Sequence, residues 1–230
     1  MTTRTIEIQE AVHGRNDEIA ARNHAIFHEA GVLVLNVMSA PGSGKTELLA
    51  RTLLEIGFAA DAERVPAGKM RIGVIVGDIA TDNDAQRIAR SGASVTQITT
   101  GGYCHLDAGM IEQAALGFDL GKLDVLIIEN VGNMVCPATF DLGEDVRVAL
   151  LSVTEGEDKP LKYPTLFKRA DLVIVNKIDL AEAAQFDKPL ALANLQGVAP
   201  QAPVVCLSAK TGQGMDVWYD YLRGQVRKEV

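Results

Sequence analysis

Ser39-Ala40-Pro41-Gly42-Ser43-Gly44-Lys45-Thr46 stands between an apolar stretch at 32–38 and the helical run Glu47-Leu48-Leu49-Ala50. A Gly-rich turn at a strand-to-helix junction that closes on Gly-Lys-Thr is a phosphate loop. Gly42, Ser43 and Gly44 bring backbone N–H groups to phosphate oxygens at the N-terminus of a helix that Glu47 continues. Lys45 reaches the β and γ groups, and the Thr46 hydroxyl holds Mg²⁺. Ser39 stands where the usual pattern has its first glycine. The competing reading is a chance Gly-rich turn, and Gly-Lys-Thr at such a junction counts against it.

Outward from this loop, β-branched runs alternate with helical segments. Strands are expected near 32–38, 72–77, 94–98, 124–129, 146–153, 171–175 and 203–207. Near-continuous apolar strands such as 72–76 and 172–175 fit a parallel sheet buried on both faces and wound in right-handed crossovers. No internal repeat, low-complexity tract or linker interrupts the 230 residues, a length that buries an ample core without disulfides. One domain over 1–230 is therefore expected, with an N-terminal helix at about 16–30. Asn16 or Asp17 would cap that helix, Ile19, Ile26, Phe27 and Ala30 would form its apolar stripe, and Gly31 would end it.

The base preference is written near the other end of the chain, where the strand at 172–175 runs into Asn176-Lys177-Ile178-Asp179 and Ser208-Ala209-Lys210 follows the last strand. A carboxylate accepts hydrogen bonds from both N1–H and N2–H₂ of guanine, an edge that adenine lacks. Asp179 is thus the expected selector of GTP and GDP. Lys177 would lay its stem on the purine, Asn176 would brace the loops, and the Ala209 N–H would donate to O6. Alone, Asn-Lys-x-Asp is also the pattern of an ordinary loop with a solvated Lys and Asp; its place after a strand, with Ser-Ala-Lys beyond, favours the base.

Between these motifs the strand ending in Glu129-Asn130-Val131-Gly132 offers a carboxylate for second-sphere Mg²⁺ or water contacts and, at Gly132, an N–H that senses a γ-phosphate. Asp78, followed by Thr81-Asp82-Asn83-Asp84, is either a Mg²⁺ or water-positioning carboxylate or a helix cap, a task that Asp82 or Asn83 also suits. The fold class is accordingly α/β, a P-loop GTPase with a mostly parallel sheet flanked by helices on both faces.

Cys104-His105 and Cys136 form a further group. Soft thiolates and an imidazole suit Zn²⁺ or Ni²⁺, with water, Asp107 or a second subunit completing the shell. The spacing equally allows small buried thiols and a histidine satisfied in the core. Cys206, inside an apolar strand, reads as core. His24 and His28 lie one helical turn apart, with His13 further back, and read as the polar face of the N-terminal helix. Three cysteines make no even framework, so disulfides are not expected.

The net charge of −8 opposes broad nucleic-acid binding, which needs a basic face. No apolar run approaches the ~20 residues of a membrane span, and the first residues lack a signal-peptide core, so a cytoplasmic location is expected.

Asn-Asp-Glu-Ile-Ala-Ala at 16–21, Leu-Asn-Val-Met-Ser-Ala-Pro-Gly-Ser-Gly-Lys-Thr at 35–46, Gly-Asp-Ile-Ala-Thr-Asp-Asn-Asp-Ala at 77–85, Cys-His-Leu-Asp-Ala at 104–108 and Glu-Asn-Val-Gly-Asn-Met-Val-Cys-Pro at 129–137 together resemble the hydrogenase nickel-incorporation GTPases, the HypB family of maturation factors. The resemblance covers nearly the whole chain. It implies a GTPase with Glu129 in its third guanine-nucleotide motif, dimerisation on GTP, and nickel delivery to nickel-iron hydrogenase alongside other maturation factors and the large-subunit precursor. It also implies a metal site at the dimer interface from Cys104, His105 and Cys136. Residues 1–30 hold no cysteine and three scattered histidines, so the nickel storage of some relatives is not implied. The urease accessory GTPases share the phosphate loop but carry Cys-Pro-His where Cys104 and His105 are adjacent; that class is the alternative, with a passive metal-binding protein behind it.

Overall fold

The computed structural model describes residues 8–60, 62, 64–79, 83–89 and 93–226. Eight strands make one sheet: β1 (Leu33–Ser39), β2 (Gly57–Phe58), β3 (Met70–Asp78), β4 (Ser94–Thr99), β5 (Val125–Glu129), β6 (Val146–Ser152), β7 (Leu172–Asn176) and β8 (Val204–Cys206). Their order is β2-β3-β5-β1-β6-β7-β8, with β4 also paired to β3, and every pairing is parallel. The helices are α1 (Ile8–Ala30), α2 (Lys45–Ile56), α3 (Asn83–Ala89), α4 (Ala108–Ala115), α5 (Lys159–Lys162), α6 (Pro164–Lys168), α7 (Lys188–Val198) and α8 (Met215–Val226). Among the described residues no helix is long and apolar enough to cross a membrane.

Strand alternation divides the core between two faces, as the two-residue period of a strand requires. Leu33, Leu35 and Val37 of β1 pack with Leu48 and Leu49 of α2, Ile88 of α3 and Trp218 of α8. Trp218 is fully buried, and its indole N–H donates to Thr52 Oγ1 at 2.9 Å, so its one polar atom is satisfied in the core. On the opposite face Val34 lies under Phe27 of α1 and Ile111 of α4, while Leu166, Phe167 and Leu195 of α6 and α7 cover Val173 and Leu151. This doubly covered sheet is the expected fold class.

Parallel register brings the strand ends to one edge. Val37 is paired with Glu129, Ser39 with Leu150, and Ser152 with Asn176. The chain winds to one side of β1 through β5 and to the other side from β6 onward, so the loop after β1 opens at the reversal of winding, where ligands of open α/β sheets are held.

The N-terminal helix departs from expectation. α1 begins at Ile8, so Asn16 and Asp17 lie inside it and neither is its cap. Its buried face runs Asn16, Ala20, Asn23 and Phe27, whereas Ile26, expected inside, is 48% exposed. Phe27 is buried and Ile19 and Ala30 are half-buried as expected; the stripe reading misplaced Ile26 because two buried positions carry amides whose hydrogen bonds are met by backbone groups of neighbouring segments. Gly31, at φ +69°, ends the helix as expected, with its N–H bonded to His28 O at 3.0 Å and the Val32 N–H bonded to Phe27 O.

Candidate functional site

At the C-terminal end of β1 the chain turns through Gly42 and Gly44, at φ +76° and +100°, a region that side chains rarely adopt. A Cβ on Gly44 would stand 2.6 Å from the Asn176 amide nitrogen, so glycine is required there by contact as well as by conformation. Gly44 caps α2, whose first N–H groups face a cavity of about 410 Å³ bordered by Gly42, Lys45, Thr46, Asp78, Glu129 and Gly132. Lys45 Nζ donates to Ser39 Oγ at 3.1 Å, and Thr46 Oγ1 donates to Glu129 Oε1 at 2.7 Å. Ser39, the departure from the usual loop pattern, thus braces Lys45.

Carboxylates beside a hydroxyl, a buried ammonium and a helix N-terminus form the donor set that a Mg²⁺-triphosphate needs. Asp78 ends β3, accepts the Ile79 N–H at 2.6 Å, and stands five residues before α3; Asp82 lies outside the described residues. Gly132 lies against the phosphate loop, where a Cβ would be 2.9 Å from Pro41 Cα. Arg87 of α3 also borders the cavity and pairs with Glu47, a cation that motif reading passed over.

The base-reading loops are tied to this end by Asn176. Its amide donates to Ser43 O at 2.9 Å, and its carbonyl accepts the N–H groups of Lys177 and Ala209. The bracing role expected of Asn176 is present. The Ala209 N–H donates to Asn176 Oδ1 at 3.0 Å, a buried bond that joins the two loops. Lys177 has a left-handed backbone, φ +63°, and its Nζ donates to Gly42 O at 2.6 Å, laying its stem across the phosphate loop. Asp179 is exposed in the turn that follows, and Ser208 is buried, accepting the Thr211 N–H. Arg51 of α2, which no motif marks, donates to the carbonyls of Ala209 and Lys210 and docks that loop on the helix.

The second group lies at the same sheet edge. Cys104 and Cys136 place their sulfurs 2.9 Å apart, and the ligand atoms of Cys104, His105 and Cys136 lie within 4.8 Å of one another. Donors around a four-coordinate zinc-type ion stand about 3.3 to 3.8 Å apart, so small side-chain shifts let these three share one ion. Their soft-thiolate and imidazole chemistry fits Zn²⁺ or Ni²⁺. His105 stacks on Phe140 with centroids 4.0 Å apart. The hydrogen bond with the Cys104 thiol, and after it burial, push the Cys136 thiol above its ordinary pKa.

Among the described residues this is the one cluster of three or more such ligand atoms. Asp107, considered above as a fourth ligand, instead caps α4, its Oδ1 accepting the Met110 N–H at 2.8 Å. Cys206 is half-buried in β8 and packs on the α6–α7 side. His24 pairs with Asp145 at 3.4 Å on the outer surface of α1, 6.3 Å between ring centroids from His28, in keeping with a polar helix face; the His13 side chain lies outside the described residues.

Asn130 connects the two groups, and sequence reasoning gave it no role. It follows Glu129 directly, is 1% exposed, and donates to Asn36 Oδ1 in the middle of β1. Its own Oδ1 accepts the N–H groups of Val131 and of Leu106, the residue after His105. Asn36 in turn donates to Glu144, whose carboxyl burial pushes above the usual range while Arg147 opposes the shift. A buried asparagine inside an apolar β1 was the available signal.

A family profile described as the CobW/HypB/UreG nucleotide-binding domain matches residues 33–206. The chain is 46% identical over 223 residues to the hydrogenase maturation factor HypB of Azotobacter vinelandii, covering 97% of this chain and 70% of that protein. It is 39% identical over 235 residues to the hydrogenase/urease maturation factor HypB of Helicobacter pylori, covering 99% and 91%. The crystal structure of Helicobacter pylori HypB in complex with nickel superposes with a TM-score of 0.83 at 40% identity, over 93% of this chain and 96% of that one. The phosphate loop, the Asn176–Asp179 loop and the Cys104–His105–Cys136 group fall within residues 33–206, and the chain belongs to the HypB hydrogenase maturation factors of the CobW/HypB/UreG family.

Proposed function

We propose that this chain is a GTP-hydrolysing metallochaperone that assists nickel insertion during nickel-iron hydrogenase maturation, with Cys104, His105 and Cys136 as a Ni²⁺ or Zn²⁺ centre coupled to the nucleotide. The observation that carries this reading is the continuity of 129–136: Glu129 bonds the phosphate-loop threonine, Gly132 touches Pro41, and Cys136 belongs to the ligand group. Only three residues lie between Gly132 and Cys136, and Pro137 stiffens the far side. A backbone that shifts at Gly132 to meet a γ-phosphate therefore carries the Cys136 sulfur with it.

In this reading Lys45 and the α2 N-terminus neutralise charge on the phosphates, Thr46 and Asp78 hold Mg²⁺, and Glu129 orients Thr46 and nearby water. Mg²⁺, when bound, offsets charge developing between the β- and γ-phosphates. Asp179 selects guanine. The protein works as one nucleotide-binding domain with α1 attached, in the cytoplasm, and pairs with a second copy when GTP is bound. The other maturation factors and the hydrogenase large-subunit precursor are its partners.

Titrating Ni²⁺ and Zn²⁺ into the protein with GDP and with a non-hydrolysable GTP analogue, beside a GTP and ATP turnover assay, tests the reading. Turnover selective for GTP and a metal affinity that depends on the nucleotide support it. Equal competition by ATP, or metal affinities equal in the two states, overturns it. A second reading, service to urease as well, is favoured by the Helicobacter pylori relative, whose name joins both enzymes.

A further inference from the structure

The metal ligands come from two segments 32 positions apart, and besides the meeting of the two sulfurs three contacts join those segments. Asn130 accepts the Leu106 N–H, Asn133 donates to Cys104 O at 3.3 Å, and His105 stacks on Phe140. A fourth connection comes from outside both segments. Asn16 of α1 accepts the Ala108 N–H at 2.9 Å through its carbonyl and donates to Asp141 O at 2.8 Å through its amide. Two turns later, Asn23 donates to Ala108 O at 2.9 Å and to Leu142 O at 3.1 Å. Ala108 lies three residues after His105, and Asp141 directly follows Phe140. Each asparagine spans the same gap.

We infer that α1 is a clamp that positions the metal centre, in which Asn16 and Asn23 fix the separation of the Cys104–His105 segment from the segment bearing Cys136. This rests on the metal-centre reading above and adds to it a role for a helix that supplies no ligand. Both asparagines are almost fully buried, at 6% and 1% exposure, where amides are retained only if their hydrogen bonds are met. An apolar residue at either position would pack on the core and take away that bridge between the two segments. The fit is tight as well: a Cβ on Gly143 would stand 2.6 Å from Ala20 O and 2.7 Å from Asn23 Cβ, so the 141–143 turn touches α1 without a gap. Neither Asn16 nor Asn23 borders the phosphate cavity. The clamp therefore acts on the metal and leaves the nucleotide alone.

Partners that orient ligands from behind typically control metal affinity by about 10 to 100-fold. Asn16→Ala and Asn23→Ala in the full chain are expected to weaken Ni²⁺ binding by that factor and to alter the nickel–thiolate absorption, with GDP affinity unchanged. Gly143→Ala, which pushes the turn from α1 and leaves both asparagines in place, is expected to act in the same direction. Arg22→Ala on the exposed side of α1 removes two 3.5 Å contacts, with Glu112 and with Glu18 O, that touch neither ligand segment, and is expected to bind Ni²⁺ as wild type does. By linkage, Ni²⁺ must tighten the clamp, so hydrogen exchange at the Ala108 N–H of the unmodified protein slows on saturation, a readout that needs no variant to fold.

Wild-type protein whose Ni²⁺ binding does not depend on Cys136 overturns the metal-centre reading and the clamp together. Cys136-dependent binding that is unchanged in the asparagine variants, or shifted equally by Arg22→Ala, or accompanied by no change at the Ala108 N–H, overturns the clamp alone.

Discussion

The Ser39–Thr46 loop and the Cys104–His105–Cys136 corner occupy one edge of the same sheet and are built in opposite ways. The first is a run of eight consecutive residues whose glycine conformations and helix N-terminus arise locally, so its shape is nearly a property of the segment. The second brings together two loops 32 residues apart, joined by the stack of His105 on Phe140 and by amides: Asn130 and Asn133 from one of the loops, and Asn16 and Asn23 from a helix near the chain's start. Function that depends on local backbone tolerates change elsewhere in the molecule. Function assembled from distant segments is exposed to substitutions that touch no ligand.

The largest effect that would sharpen this contrast is expected at Lys45. Lys45→Ala removes the ammonium that serves the phosphates and is expected to lower GTP turnover by at least ~100 to 1000-fold. Single-turnover phosphate release measures it, and metal affinity with GDP bound should not follow. Turnover that survives the change removes the local site from the chemistry.

Next is Asp179→Asn, expected to weaken GTP and to favour xanthosine triphosphate, erasing a guanine preference of about 100-fold or more over adenine. Competition binding with the three nucleotides checks it. Retained guanine selectivity would move base reading to other groups.

Smaller again is the link between the two regions. Metal affinity in the wild type is expected to differ by about 5 to 150-fold between GDP and a GTP analogue, and Cys136→Ala is expected to abolish most of that difference while leaving GDP affinity nearly unchanged. Calorimetric titration in both nucleotide states reads the coupling. A Cys136→Ala protein that keeps the full difference would break the proposed route from Gly132.

The smallest effect is expected at Ser39, whose hydroxyl holds Lys45 Nζ. Ser39→Gly restores the usual loop pattern and removes the hydroxyl's bonds to Ala40 O and from Lys45 Nζ; the loss of the lysine bond, about 1 kcal/mol, corresponds to about five-fold in turnover. Slow-phase kinetics of GTP hydrolysis resolve a change of that size, and an increase in rate would show that the brace restrains the lysine.

Periodicity was a good guide where burial is apolar. The strand expected at 124–129 is observed as Val125–Glu129, and 171–175 as Leu172–Asn176, because continuous β-branched runs have no other way to bury both faces. It was a poor guide in α1, where the buried positions Asn16 and Asn23 score as polar, and the reading placed Ile26 inside instead. The same blindness hid Asn36 and Asn130. A side chain's value as a bridge depends on which backbone groups face it, and those belong to segments a hundred residues away.

From the order of residues alone came the parallel α/β architecture and the expectation of a phosphate loop, guanine-type loops and three soft side chains suited to a metal, since each is set by local conformation or by side-chain chemistry. Only the folded chain decided that Thr46 meets Glu129, that the Ala209 N–H serves Asn176, that Asp107 caps a helix, and that α1 ties the two ligand segments together. The reason is physical: a buried hydrogen bond has worth only when donor and acceptor are brought within about 3 Å, and which pairs meet is settled by how the helices pack on the sheet.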